Sequence, residues 1–316
     1  MADEESYWIK RERDNIKREQ MNDEIVSRKL KEIIDHALRE VEKEINAFYS
    51  RYAEKNTITL AEARKRVSEF DVQSFERTAA RYVREKDFSP KANKELYTYN
   101  TKMRVNRQEL LMMYLNAHIV SMANEQERTF QEYLEQAGIS EVLRQAGILG
   151  VNMAITTPTL KSIVGASFYG AKWSSRIWGD MKALRVELEG IINSAIVRGV
   201  HPSKYIRKIR ERFEVSSFEA KRLLITETAR VQVEAQKLSY QAVSNDEEAE
   251  YEYVAVMDGK TTKRCELLNK KKFKVKEMKP GINAPPMHPF CRSSTALVLG
   301  DWRKYFFVST KEKYTL

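Results

Sequence analysis

The sequence predicts a mainly α protein that ends in a small α+β domain. Three observations lead there. Gly and Pro are scarce, at 11 and 7 in 316 residues, and both disfavour helix interiors. Apolar residues recur at helical spacing through most of the chain before Asn245. After Asn245 come three short runs rich in aromatic or β-branched residues, separated by turn-forming Pro and Gly.

Taken in order, residues 5–52 read as one long helix. Ile25, Leu30, Ile33, Ile34, Ala37, Leu38, Val41, Ile45 and Phe48 form its apolar stripe. Such a stripe needs a packing partner, because an amphipathic helix gains most of its stability from tertiary contacts. Tyr7 and Trp8 at the polar start are expected to anchor this helix locally, with docking on a partner as the other reading. Thr59 and Glu62 make a capping box for a helix to about Phe70. Another helix is expected from Asp71–Ser74 onward, carrying Phe75, Ala79, Tyr82 and Val83. Ser89-Pro90 then opens a long helix from Asn93 to about Gln136. Its apolar positions include Leu110, Leu111, Met113, Tyr114, Ala117, Val120 and Met122.

Gly138 and Gly147-Ile148-Leu149-Gly150 are expected to interrupt the helices. Residues 151–172 read as a linker or hinge between an elongated helical N-terminal region, 1–150, and a C-terminal domain, 173–316. A second stripe follows in Trp178, Met181, Leu184, Leu188, Ile191, Ile192 and Ile196, ending at Arg198-Gly199. His201-Pro202-Ser203 opens the next helix, and Val215-Ser216-Ser217 leads into another that holds Ala220, Leu223, Leu224, Thr228, Val231 and Ala235. The expected strands are 251–256, 272–275 and 294–299. The tail from Asp301 to Leu316 is aromatic enough to pack on the body or on a partner.

Charge is concentrated near the C-terminus. The net charge is +10, and residues 251–316 hold 14 Lys/Arg against 6 Asp/Glu. Within them, Lys260, Lys263, Arg264, Lys270, Lys271, Lys272, Lys274, Lys276 and Lys279 face only Glu266 and Glu277 in sequence. A basic run suits double-stranded DNA phosphates or an acidic protein surface; the alternative is a solubilising face. No apolar run is long enough to span a bilayer, and the N-terminus has no signal-peptide core. Two cysteines do not make a secreted disulfide scaffold. Folding in a cytoplasm is expected. No GxGxxG or GxxxxGK[ST] fingerprint for nucleotides occurs.

Two constellations could carry chemistry. Cys265, His288 and Cys291 are residue types that zinc prefers, and His-x-x-Cys is a workable local spacing. A closed structural site wants a fourth ligand, for which Asp258 or water is available. The residues also allow a disulfide, or two buried thiols beside a turn-shaping histidine. The last reading is preferred, so no cofactor is expected and zinc stands as the alternative. Glu227 and Arg230, three apart on one helix, read first as a structural ion pair and second as a general base or metal ligand with its partner. No activated nucleophile and no carboxylate cluster for two metals is visible, so a non-enzyme is expected. The alternative is a metal-dependent hydrolase or nuclease built on Cys265, His288, Cys291 and Glu227.

A resemblance adds to this. Asp258, Thr262 to Cys265, Leu267-Leu268, Phe273, Pro280-Gly281, Pro285-Pro286 and His288-Pro289-x-Cys291-Arg292 together resemble the signature of the Mu-F-like minor head proteins of tailed phages, also called phage head morphogenesis proteins. Thr226-Glu227-Thr228-Ala229-Arg230 resembles the short Thr-Glu-x-x-Arg element that precedes that signature. One position departs: many relatives carry a second Cys or His where this chain has Leu268. The resemblance is closest over about 190–300. It implies a virion protein inside the phage head, assembled in the host cytoplasm, with portal, capsid or scaffolding proteins as partners. On it, Glu227, Arg230, Asp258, Pro286 and Arg292 count as structural signature residues.

Overall fold

The computed structural model describes residues 7–52, 90–198, 203–244 and 249–298. It is mainly α with a small antiparallel sheet near the C-terminus. The helices are α1 (Tyr7–Tyr52), α2 (Pro90–Leu149), α3 (Thr157–Val164), α4 (Trp173–Arg198), α5 (Ser203–Val243) and α6 (Lys263–Leu268). The strands are β1 (Glu250–Val254), β2 (Lys272–Lys274) and β3 (Ser294–Leu297), in the order β2-β1-β3. Tyr251 sits opposite Phe273 on one side and Leu297 on the other. The helices expected after Thr59 and Asp71, the turns at 199–202 and 245–248, and the aromatic tail lie outside the described residues.

Three expectations need correction. The helix expected to stop near Gln136 runs on to Leu149, straight through Gly138 and Gly147. Gly138 is there because of close packing: a Cβ on it would sit 2.9 Å from Leu160 Cδ1 and 3.2 Å from Val231 Cγ1. Val215-Ser216-Ser217 is no break either, since α5 is continuous through it. Ser216 is buried, and Arg212 Nη1 donates to its hydroxyl at 2.9 Å. Apolar type also misled at single positions: Ile25, Tyr114, Val120 and Trp178 are exposed. Within 151–172, α3 forms because Thr156 caps it, accepting from Thr159 N, and Pro158 sits in its first turn.

The described residues fall into two compact units. The first takes those within Met1–Glu32, Glu125–Ile177 and Ser217–Leu316; the second takes those within Ile33–Asn124 and Trp178–Ser216. The second unit buries Ile34, Val41 and Ile45 of α1, Leu115 and Ile119 of α2, Leu184 and Leu188 of α4, and Phe213 of α5. At its surface Arg210 pairs with Glu42 and Arg212 with Asp180 and Glu187.

The first unit has an apolar core and a buried polar network. On the sheet, Tyr251, Val275, Met278, Ala284 and Leu297 pack with Val233 and Tyr240 of α5. Val254 turns the other way and packs with Ile9 and Ala296. Beside this core, Arg144 forms a forked pair with Glu12 and a second pair with Glu141. Gln236 donates to both Glu141 and Ser294, Ser294 donates to Glu12, and Thr295 donates to Gln236. Tyr240 closes the network by donating to the Thr295 carbonyl. Burial holds Glu12 above the usual carboxylate range, against the pull of Arg144. Helices α1, α2 and α5 and strand β3 are thus joined by directional bonds whose groups would be costly to bury unpaired.

Candidate functional site

The site is built on α6 and the proline-rich loop that follows β2. Helix α6 begins after Thr262 and brings Cys265 inward, where it is 1% exposed. The loop is held in several places. Asn283 accepts from the Lys279 N–H and donates to the Glu277 carbonyl. Gly281 turns with φ +83° and packs so closely on Phe168 and Tyr169 that a Cβ would come within 3.0 Å of the Tyr169 hydroxyl. Positive φ and lack of room both call for glycine. Arg264 reaches across from α6 and donates to the carbonyls of Gly281 and Met287. The Pro285–Pro286 peptide is cis, and Pro286 is buried. The loop ends in a tight turn, where Cys291 N–H donates to the His288 carbonyl at 3.1 Å.

This folding brings the three sequence-predicted ligands together. Ligand atoms of Cys265, His288 and Cys291 all lie within 4.8 Å of one another. Cys265 Sγ is 3.3 Å from His288 Nε2 and 3.8 Å from Cys291 Sγ. A disulfide needs about 2.05 Å, and both cysteines are free. His288 Nδ1 is 2.7 Å from the Pro289 carbonyl. A carbonyl only accepts, so Nδ1 carries a proton and Nε2 faces the Cys265 sulfur. Tyr253, read in the sequence only as a strand residue, donates its hydroxyl to Cys265 Sγ at 3.3 Å and lies 4.0 Å from Cys291 Sγ. The thiols are unequal: the hydrogen bond between them pushes Cys265 up and pulls Cys291 down. Backbone donors at Met287 and Ser293 further favour the Cys291 thiolate, against its burial. Leu268 packs on the same cluster with Phe273.

Asp258 does not join the trio. It is exposed in a turn, where it accepts from Lys260 N–H and the Thr261 hydroxyl. Desolvation pushes its carboxyl up, but those bonds together with the charges of Arg292 and Lys260 hold it below the usual range. Glu227 is also separate and 1% exposed. It accepts from Arg230 Nε at 2.7 Å. The rest of that guanidinium donates to the Ile163 and Val164 carbonyls at the end of α3. A cation suits the carbonyls that end a helix. Two residues of the Thr-Glu-x-x-Arg element therefore anchor α5 to α3, while Thr226 accepts from Phe290 N–H in the His-x-x-Cys turn.

Of the basic candidates, Lys260, Lys263, Arg264, Lys270, Lys271, Lys272, Lys276 and Lys279 are exposed and Lys274 is half-buried. They lie on the turn before α6, on α6, and on and around β2. Arg264 is partly engaged by the loop carbonyls. Strand β2 is an edge of the sheet, where lysines also discourage unwanted strand pairing. Arg292 is half-buried next to the trio, with Asp23, Glu24 and Asp258 in its electrostatic reach.

Sequence reading missed the Glu12–Arg144–Glu141 network. Its one signal is positional. Glu12 falls on the same helical face as Ile9 and Ile16, where a charge at an inward position demands a partner. No helix among the described residues is long and apolar enough to cross a membrane. Residues 187–296 match the family model of the phage Mu protein F like proteins. No curated protein and no solved structure matches the chain. The matched span holds the Thr-Glu-x-x-Arg anchor, the α6 cysteine and the His-x-x-Cys turn, and over these residues the chain is similar to the phage Mu protein F like proteins.

Proposed function

We propose that this phage head-related, virion-associated protein is a minor head protein that works by protein contact at the portal or inner capsid during procapsid assembly, DNA packaging or delivery. The observation that carries this reading is the family match over residues 187–296. Within the matched span the buried Glu227–Arg230 pair and the Thr226–Phe290 hydrogen bond brace α5 against its neighbours, which suits an assembly part. Glu227, the one carboxylate considered for catalysis, is committed to Arg230.

The test is co-purification of the tagged chain with portal and capsid proteins expressed beside it, at low and high salt. Retention of portal at high salt is the expected result. Loss of every protein partner, with nucleic acid kept only at low salt, would recast the chain as a DNA-binding protein.

The exposed lysines on α6 and around β2 support a subsidiary role in contacting DNA phosphates without reading bases. Affinity for duplex DNA should then fall steeply with salt. Lys263→Glu, Lys271→Glu and Lys272→Glu together should reduce the log–log salt slope by about 0.9 for each phosphate that is no longer neutralised. An unchanged slope would remove DNA from the proposal and leave these lysines as edge protection.

A further inference from the structure

The Cys265–His288–Cys291 cluster has a geometry that buried thiols and a turn-shaping histidine do not by themselves require. A tetrahedral zinc ion with bonds of about 2.3 Å to sulfur and about 2.05 Å to nitrogen separates two sulfurs by about 3.8 Å and a sulfur from a nitrogen by about 3.5 Å. The distances here are 3.8 Å between the sulfurs and 3.3 Å from Cys265 Sγ to His288 Nε2. The supporting contacts agree. A metal-binding imidazole is usually oriented by a hydrogen bond from its other nitrogen, and His288 makes that bond to the Pro289 carbonyl. The Tyr253 hydroxyl is placed to donate to a metal-bound thiolate.

We propose that Cys265, His288 and Cys291 bind one zinc ion, with a fourth coordination position left to solvent. Leu268 fills with packed hydrocarbon the place from which α6 could supply a fourth ligand. Cys265 and His288 instead line an open cavity of about 330 Å³, together with Asp258, Lys260, Thr261, Thr262 and Arg292. Water from that cavity completes the coordination. Charge balances: the two thiols release their protons to solvent, His288 binds as the neutral imidazole, and two thiolates neutralise the dication. The ion would tie α6 to the turn at 288–291, and so close the loop onto the sheet. This inference is independent of the head-assembly role.

The test uses the purified full-length chain. After dialysis it should hold about one zinc per chain. After chelation under reducing conditions, cobalt(II) should restore a thiolate charge-transfer band and the visible absorption of a tetrahedral ion. His288→Ala should weaken cobalt binding by more than about 100-fold, beyond the range for losing an outer hydrogen-bond partner alone. Leu268→Cys should do the opposite, tightening binding and raising the charge-transfer intensity as a third thiolate joins. A folded wild-type chain that is free of zinc and gives no cobalt band overturns the proposal, whether its thiols are reduced or joined. Cobalt binding that His288→Ala leaves unchanged overturns the assignment of histidine as a ligand.

Discussion

Arg230 shows how much one side chain does in this molecule. The residue is 2% exposed, and its guanidinium pairs with Glu227 and accounts for two carbonyls at the end of α3. Truncating one member of a buried pair leaves the other charged and unsolvated. Arg230→Ala should therefore lower stability by about 3–5 kcal/mol, measured by urea unfolding. Replacing Glu227 and Arg230 together with leucines should cost less than the single truncation. Equal losses would show that the carbonyl contacts, rather than the ion pair, carry the effect. Asp23 makes the complementary case. It is buried on α1, accepts from the Tyr133 hydroxyl at 3.0 Å, and burial raises its pKa to about 7. The folded chain thus holds a proton on Asp23 that the unfolded chain has released above about pH 4. Stability falls as pH rises from about 4 to about 7, and levels off above. The upper bound is on the order of 4 kcal/mol for a shift of this size. Asp23→Asn should stabilise the protein at pH 8 and flatten this slope; an unchanged pH profile would mean Asp23 is ionised in the fold.

At the scale of elements, two glycines of α2 should behave oppositely. Both lie inside the helix, where Gly costs about 1 kcal/mol relative to Ala. Gly147 has nothing within 4 Å of where its Cβ would be, so Gly147→Ala should raise stability by about 0.5–1 kcal/mol. Gly138 meets Leu160 and Val231 at that point, so Gly138→Val should destabilise by about 1–3 kcal/mol through overpacking. Thermal unfolding of the two variants checks both signs. In sequence the two glycines look alike, and both read as breaks. What separates them is how closely α3 and α5 approach, a distance that no local pattern encodes.

At the scale of the whole molecule, the family module depends on residues far outside it. Ile9 packs on Val254 and Ala296, and Glu12 bonds to Arg144 and Ser294. A fragment of residues 217–316 lacks all of α1 and the Glu141–Arg144 corner. It should leave Gln236 and Ser294 without their carboxylate partners and expose an apolar sheet face. Expected are weak near-ultraviolet dichroism and fast amide exchange in β1 and β3, against protection of the same strands in the full chain. Native-like protection in the fragment would show that the sheet and its α5 support stand without α1 and α2.

The sequence by itself determined the mainly helical character of the chain, the three strands and the residues of the cluster. Helical and strand periodicity are local, and Cys, His and Pro are rare enough here for their grouping to stand out. It also carried the Thr-Glu-x-x-Arg and His-x-x-Cys elements that the family match covers. Tertiary structure decided what those residues touch. It paired Glu227 with Arg230, which it set against α3, turned Asp258 into a turn residue, brought Tyr253 to both sulfurs, and buried Glu12 against Arg144. Each of these joins residues from different elements, and their meeting depends on how helices and loops pack, which spacing along the chain does not report.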